Sequence, residues 1–394
     1  RFRLSCDPDL AKRILIAPPQ LIADAYLARL SPALERHASQ ALNAYLPVYS
    51  AFYLPMWTLV GALVAFVSLL ALAAYTAGIG AVTTPMAILF FGAILVRFIA
   101  ALSLRANKQR LPETPCLNNQ ELPVYSVLVA AYKEANIIAG LVSALKELHW
   151  PAAKLDIKLV LEADDHETIA AARAAIQNLS MFEIVLVPAG TPRTKPRALN
   201  YALPLARGDY LVIYDAEDRP HPMQLKAAYH RYQGGNGRLA CLQAPLLIDN
   251  AQHSFWSGLF AVEYAGLFDG VLPALARYKL PIMLGGTSNH FKTEILRSVG
   301  AWDPYNVTED ADLGIRLSRL GYHVDVLDLP TYEEAPVRFS VWLKQRTRWF
   351  KGWMQTGLVH MRHPGLALSQ LGLKGFLIYH LVSSVLLASA LGYP

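Results

Sequence analysis

The chain has 394 residues, of which 54% are hydrophobic and only 17% are charged. A soluble domain ordinarily carries about 25% charged residues, so this composition indicates that part of the chain lies in a membrane. The hydrophobic fraction excludes a disordered or fibrous chain, and three cysteines exclude a disulfide scaffold. The net charge of +6 favours anionic lipids or anionic substrates as partners. The sequence contains no basic, aromatic-interleaved motif that would indicate nucleic acid as a partner.

Two apolar runs predict a transmembrane helical hairpin over residues 52–104. The first run, 52–75, contains no charge and is long enough to cross a bilayer core of about 30 Å. The second run, 85–104, contains one charge, Arg97. Basic residues precede the first run and follow the second, so the positive-inside rule places both flanks in the cytoplasm. We therefore predict a multi-pass protein of the inner (plasma) membrane.

Three further segments flank these parts of the chain. Residues 1–46 are predicted to be an N-terminal cytoplasmic segment, and a remnant of a regulatory module is one interpretation of it. Residues 105–122, which contain two prolines and many polar side chains, predict a linker. A third apolar run predicts the start of a C-terminal transmembrane region over 373–394, and we expect further membrane helices after Pro394.

Between residues 123 and 336, short apolar runs alternate with helical patterns, which predicts a mostly parallel α/β sheet covered on both faces. The predicted strands lie at 123–132, 156–164, 182–190, 208–218 and 239–248. The predicted helices lie near 133–149, 166–178, 195–206 and 221–233. Ligands of such sheets bind at the carboxyl ends of the strands, and acidic residues cluster there: Glu134, Asp164, Asp165, Asp215, Glu217 and Asp218.

The strongest local signal is the segment YDAEDRP at 214–220. Asp215 directly follows an apolar strand, and carboxylates two residues apart on a strand-end turn can share one hard divalent cation. Glu217 and Asp218 are both candidates for the second ligand, and Mg²⁺ or Mn²⁺ is the expected ion. The alternative is an acidic turn that only stabilises the N-terminus of the following helix.

Two helix starts carry further charged residues. The segment TKPRALNYAL places Lys195 and Arg197 at a helix N-terminus, where cations oppose the helix dipole, so a bound diphosphate is the better explanation. The segment NVTEDADLGIRL places Thr308 at the predicted N-cap, with Glu309 and Asp310 in the first turn. Helix capping alone could explain these acidic residues.

Residues 337–366 contain basic and aromatic side chains and no acidic residue. Such a segment is typical of amphipathic helices that lie in the membrane interface. We therefore predict interfacial helices directly after the α/β domain.

These segments together resemble the processive, membrane-embedded family 2 glycosyltransferases, the group that contains cellulose, chitin, hyaluronan and mixed-linkage β-glucan synthases. The matching elements occur in order between residues 123 and 353: VLVAAYKEANII, EADDHET, TKPRALNYAL, YDAED, LQAPL, TED and QRTRW. The resemblance implies a GT-A-type (Rossmann-like) cytoplasmic domain over 123–336, inserted between transmembrane helices. Glu217 departs from the family pattern, because an aspartate usually stands at that position.

The resemblance also implies roles for individual residues. The turn after the first strand cradles the nucleotide, the aspartates of EADDHET approach the uracil, and the aspartate of TED is the general base. The implied nucleotide-sugar-binding residues are Ala131, Tyr132, Glu134, Asp164, Asp165, Lys195, Asp215, Gln243 and Arg348. The implied catalytic residues are Asp310, Glu309, Gln345, Arg348 and Trp349. The metal ligands are Asp215 with Glu217 or Asp218.

The expected activity is inverting transfer of a hexose, with glucose implied by the resemblance, from a UDP-sugar to the end of a growing β-linked polysaccharide. The reaction is expected at the cytoplasmic membrane face and coupled to secretion of the polymer. The expected partners are the UDP-sugar donor, the polysaccharide acceptor, membrane lipids, and regulatory or secretion proteins. Two alternatives stay open: a non-processive enzyme that makes a glycolipid, and a catalytically retired receptor that binds nucleotide.

Overall fold

The computed structural model describes residues 19–54, 56–107, 118–235, 237–385 and 387. The strands in these ranges are β1 Tyr125–Ala131, β2 Leu155–Glu162, β3 Phe182–Val187, β4 Tyr210–Tyr214, β5 Arg219–Pro220, β6 Leu239–Gln243, β7 Leu246–Ile248, β8 Asn289–Lys292, β9 His323–Val326 and β10 Thr331–Glu333. The predicted segments 1–46, 105–122 and 373–394 each lie partly outside the described residues.

The α-helices are α1 Pro19–Tyr45, α2 Met56–Ala77, α3 Gly80–Asn107, α4 Ile138–Lys146, α5 His166–Ala175, α6 Lys195–Ala202, α7 Gln224–Gln233, α8 Phe255–Tyr264, α9 Leu272–Arg277, α10 Thr293–Ser298, α11 Glu309–Arg319, α12 Phe339–His360 and α13 Pro364–Tyr379. A π-helical segment, Ala265–Val271, joins α8 to α9.

A seven-stranded sheet with the strand order β3-β2-β1-β4-β8-β6-β9 forms the centre of the described chain. The first four strands of this order are parallel, so their carboxyl ends meet at one edge. Strand β8 runs antiparallel to both β4 and β6, which makes the sheet mixed rather than uniformly parallel. The predicted run 239–248 is divided between two sheets, because β6 ends at Gln243 and β7 pairs with β10 instead.

The central strands are mostly apolar, and the charged residues Asp156 and Lys158 that β2 buries are paired with each other at 3.1 Å. Strands β1, β2 and β4 are almost completely buried, as expected for parallel strands that are covered by helices on each side. Helices α4 and α5 pack on one face of the sheet. Helix α6 packs on the other face, and its side chains belong to the same core as Leu34 and Ala38 of α1.

The N-terminal helix α1 is therefore integrated with the α/β domain. Its Ala38 carbonyl accepts a hydrogen bond from Asn200 Nδ2 at 3.3 Å, and Ser31 Oγ lies 3.1 Å from Tyr201 Oη. The part of segment 1–46 that the structure describes thus packs on α6 as an element of the domain. Residues 1–18 lie outside the described residues.

Four helical stretches in the described part of the chain are long and apolar enough to cross a membrane: Val60–Ala77, Gly80–Leu102, Phe255–Arg277 and Pro364–Ser384. The stretch Phe255–Arg277 was not predicted as a membrane segment, because the charged residues Glu263 and Asp269 interrupt it. Its π-helical part contacts α3, so this stretch joins the α/β domain to the predicted hairpin.

Candidate active site

The turn after β4 separates the two candidates for the second metal ligand. Asp218 is fully buried, and its Oδ2 accepts hydrogen bonds from the Asp215 amide at 2.7 Å and from the Thr287 hydroxyl. Glu217 is exposed and Asp215 is partly exposed. Asp218 therefore shapes the turn, and the accessible carboxylates are those of Asp215 and Glu217.

Lys195 begins helix α6 beside this turn. Its Nζ forms an ion pair with Asp215 and donates a hydrogen bond to the Gly286 carbonyl at 3.1 Å. Burial opposes the charged form, but Asp215 and Glu309 outweigh burial and raise the pKa of Lys195. Arg197, predicted at the same phosphate site, is 1% exposed and donates instead to the Pro188 carbonyl at 2.8 Å. The prediction for Arg197 was wrong because its side chain is directed into the protein.

Glu309 and Asp310 form the first turn of α11, as predicted. Burial raises the pKa of Asp310. Burial, and then the charge of Asp310, raises the pKa of Glu309 to about 8. Burial and the neighbouring charge therefore favour the protonated form of Glu309 at neutral pH. Asp310 Oδ2 lies 3.5 Å from the position that a Cβ on Gly286 would take, so Lys195 and Asp310 both lie beside one glycine.

The loop that carries this glycine is fixed by Gln243 at the end of β6. Gln243 is fully buried; its Nε2 donates to the Ala244 and Thr287 carbonyls, and its Oε1 accepts from the Gly285 amide at 2.8 Å. A Cβ on Gly285 would lie 3.0 Å from Phe268, so the loop approaches this ring closely. Gln243 thus acts on the loop backbone, and a direct contact with sugar stays a prediction.

The predicted nucleotide residues lie at the carboxyl ends of β1 and β2. Asp164 is exposed and pairs with Arg193 at 2.5 Å, and the Arg193 guanidinium lies 4.3 Å from the centre of the exposed Tyr132 ring. Asp165, by contrast, is buried, accepts from the Lys133 amide at 2.5 Å and caps α5. Asp164 is therefore the accessible member of the pair, and Arg193 is a neighbour that the sequence reasoning missed.

Ala131 and Glu134 flank the Tyr132 turn. Ala131 ends β1 and is buried, which leaves only its backbone to meet a ligand. Glu134 is half-buried, and its pKa is raised by burial, with Glu217 and Asp215 adding repulsion. This carboxylate belongs to the same electrostatic cluster as the turn after β4.

Glu333 is a cleft carboxylate that the sequence reasoning did not find. In the antiparallel β5–β10 pair, Thr331 lies opposite Pro220, and continuing this register brings Glu333 opposite Asp218. Burial, followed by Asp218, Asp215 and Glu217, raises the pKa of Glu333 to about 9. A strand of three residues is too short to show periodicity, so no sequence signal separated it from its neighbours.

These carboxylates fit a divalent cation. Among the described residues no group of three or more His, Cys, Asp or Glu side chains is arranged as a complete metal site. Mg²⁺ is usually held by one or two carboxylates together with substrate phosphates. Asp215 and Glu217 can supply these carboxylates. Burial, followed by repulsion from Asp215, raises the pKa of Glu217. A cation held between the two carboxylates would relieve this repulsion.

The QRTRW residues lie on α12 at the same cleft. Arg348 is exposed, and its charge lowers the pKa of Asp310 against the larger effect of burial. Gln345 and Trp349 are half-buried. The Arg346 guanidinium lies 4.6 Å from the Trp349 ring centre. The structure thus brings Arg348 towards Asp310, while Trp349 packs partly against the protein.

Comparison with known proteins matches the part of the chain that forms the candidate site. A family model described as "Glycosyltransferase like family 2" matches residues 123–352, which is more than half of the chain. A mannosyltransferase from Pyrobaculum calidifontis, solved in complex with GDP-Man and Mn²⁺, has a TM-score of 0.57 and 20% identity, and the match covers 79% of this chain and 86% of that one. This likeness supports the predicted GT-A-like α/β fold.

Two relatives by sequence make different products. The beta-monoglucosyldiacylglycerol synthase of Trichormus variabilis is 26% identical over 59% of this chain and 50% of its own. The cellulose synthase 1 catalytic subunit of Komagataeibacter xylinus is 25% identical over 75% of this chain and 40% of its own. The chain spans about half the length of the first curated relatives it matches.

Proposed function

The chain belongs to glycosyltransferase-like family 2, and on that premise we propose that it transfers a hexose from a UDP-sugar to an acceptor hydroxyl with inversion. One observation carries the proposal: Lys195, which is paired with Asp215, donates to the Gly286 carbonyl, and Asp310 lies beside the same glycine. The Lys195 ammonium, which could bind phosphate, and the Asp310 carboxylate, which could act as the base, therefore lie beside the same residue.

In this proposal Asp310 accepts the proton of the acceptor hydroxyl. The hydroxyl oxygen forms a bond to the anomeric carbon on the face opposite the diphosphate, and the bond from that carbon to the diphosphate oxygen breaks. The attack from the opposite face inverts the anomeric configuration. General-base assistance contributes roughly 10²–10⁴ in rate. The proton on Glu309 keeps a second negative charge away from Asp310 at neutral pH.

The departing diphosphate gains negative charge, which Lys195 and Arg348 would stabilise. Asp215 and Glu217 would hold the Mg²⁺ or Mn²⁺, and the bound ion would supply Lewis-acid stabilisation of the leaving group. The solved mannosyltransferase of similar fold contains Mn²⁺ and GDP-Man, which supports a metal in this role. Tyr132 and Asp164, at the ends of β1 and β2, are proposed to bind the nucleotide.

The proposed acceptor is the end of a β-linked polysaccharide, with glucose as the hexose, and the polymer would be secreted across the inner membrane. The cellulose synthase relative supports this choice. The four apolar helices support a multi-pass protein, and the basic residues that flank 52–104 support a cytoplasmic catalytic domain. The same proposal implies contact with membrane lipids and with a partner protein that takes part in secretion.

A glycolipid acceptor is the second candidate. The relative that supports it is a beta-monoglucosyldiacylglycerol synthase, which matches a similar part of this chain. In that case a single hexose is transferred to diacylglycerol, and the apolar stretch Phe255–Arg277 beside the cleft would bring the acceptor near Asp310.

The test is incubation of membranes that contain the protein with each labelled sugar nucleotide in turn. If the acceptor is a polymer, the label should remain in the precipitated polysaccharide and be released by a linkage-specific glycanase. If the acceptor is a lipid, the label should move into the organic extract as one glycosylated species. Nucleotide binding without release of UDP in a coupled assay would instead support a retired receptor and contradict the proposal.

A further inference from the structure

Helix α12 is bonded directly to the turn that precedes the proposed base. The side chain of Gln355 bridges two backbone groups of this turn: its Oε1 accepts from the Val307 amide at 3.1 Å, and its Nε2 donates to the Tyr305 carbonyl at 2.8 Å. Gln355 is 7% exposed, so these bonds are shielded from water. We name this contact, made by Gly352, Gln355 and Thr356 with residues 305–308, the α12 junction.

Thr356 extends the junction to the N-terminus of α11. Asn306 Nδ2 donates to Thr356 Oγ1 at 3.0 Å, and Asn306 Oδ1 accepts from the Thr308 amide at 3.0 Å. The Thr308 hydroxyl lies 3.3 Å from that of Thr356. Thr308 stands at the predicted N-cap position, yet its side chain makes no capping bond. Its hydroxyl belongs to the junction instead.

Gly352 allows the close approach that these bonds require. A Cβ at this position would lie 2.4 Å from Thr308 Cγ2 and 2.6 Å from its Oγ1, which is too close for any real contact. Gly357, five residues further along α12, has nothing within 4 Å of its Cβ position. Of these two glycines, Gly352 alone is in close contact with Thr308.

The junction lies on the helix face that also carries the QRTRW side chains. Residues three and four apart share a face of an α-helix, and this spacing leads from Gln345 through Arg348 to Gly352 and Gln355. Fixing one end of the face against Thr308 therefore also fixes the backbone position from which Arg348 extends. Asp310 follows Thr308 by two residues, so the same bonds fix the base.

We propose that Gly352, Gln355 and Thr356 are positioning residues, which hold Asp310 and Arg348 in register across the cleft. This inference rests on the proposed transfer reaction for its kinetic part and on the hydrogen bonds alone for its structural part. Neither the base nor the arginine needs to touch these three residues. Their effect is transmitted through the start of α11 and the axis of α12.

The kinetic test compares Gly352→Ala with Gly357→Ala in the full membrane-bound chain. Both substitutions change the same helix in the same way, so their difference reports the contact with Thr308. A shift of about 1 Å in a reacting group can cost about 10²-fold in rate. We expect Gly352→Ala to lower kcat by about that factor, with a much smaller loss of donor affinity because Lys195 and Asp215 are not displaced, and Gly357→Ala to keep wild-type kcat.

Thr356→Val and Thr356→Ser test the same junction with smaller changes. Val removes the hydroxyl at similar size, and Ser keeps it. Thr356→Val should lower kcat more than it lowers donor affinity, and Thr356→Ser should keep kcat close to wild type. If Gly352→Ala does not fold, this second pair decides. A kcat within threefold of wild type for both Gly352→Ala and Thr356→Val would overturn the inference.

Hydrogen exchange separates this inference from the proposed function. Gln355→Ala should expose the Val307 amide, which then exchanges at least about tenfold faster, corresponding to about 1.4 kcal/mol of lost protection. Unchanged exchange at 305–308 would show that the junction is not formed. A wild-type protein without transferase activity would instead remove the proposed function and leave this exchange result intact.

Discussion

Replacing Asp310 with Asn removes the proposed base while keeping the shape of the side chain. General-base assistance of roughly 10²–10⁴ corresponds to about 2.7–5.4 kcal/mol of transition-state stabilisation. The loss should appear in kcat, because the donor contacts of Lys195 and Asp215 are not altered. The assay is release of UDP at saturating donor, with calorimetric titration of the same preparation to measure donor affinity.

The matched control is Glu309→Gln. Burial and the neighbouring Asp310 raise the pKa of Glu309 to about 8, so this side chain is protonated at neutral pH and an amide resembles it. We expect Glu309→Gln to keep turnover at pH 7 within about tenfold of wild type. Above pH 8 wild-type Glu309 ionises and Gln cannot, so the two pH profiles should diverge there. Intact turnover in Asp310→Asn, or an equal loss in both variants, would refute the assignment of the base.

The remaining predictions concern the metal turn and the buried charges behind α11. Glu217→Gln should weaken Mn²⁺-dependent donor binding at least about tenfold, because Glu217 is the accessible one of the two candidates for the second ligand. Unchanged donor binding in this variant would transfer the ligand role to Asp218. Asp312 is fully buried and contacts Arg316 at 2.7 Å and His360 at 3.0 Å, so Asp312→Asn should destabilise the protein by about 3–5 kcal/mol in thermal unfolding. Burial opposes ionisation of Asp312, but these partners outweigh it and lower its pKa; the stabilisation is therefore present above about pH 4 and lost as pH falls through the folded-state pKa. A loss below about 1 kcal/mol would contradict this interpretation.

The central strands could be predicted from sequence because burial on both faces favours largely apolar runs, even though β2 also buries Asp156 and Lys158. Strand β8 could not, because it lies in a segment of polar residues. Its His290 is fully buried and satisfied by partners distant in sequence, including Tyr125 Oη at 2.7 Å. Such polar pairs become visible only when the strands are brought together.

The candidate site shows the same limit at single-residue scale. Asp164 and Asp165 are adjacent in sequence, yet one is exposed and the other caps a helix. Asp215 and Lys195 are paired in the structure, but the ligand roles assigned to them stay predictions. Glu333 was missed because strand register, which local sequence does not encode, brings it opposite the turn after β4.

The most direct measurement is calorimetric titration of the purified full protein, in lipid, with UDP-sugars in the presence and absence of Mn²⁺ or Mg²⁺. We expect binding that requires the cation, is abolished by a chelator and is lost in Asp215→Asn. Heat of binding that is the same with and without metal, or in the Asp215 variant, would contradict this expectation, as would no binding of any sugar nucleotide.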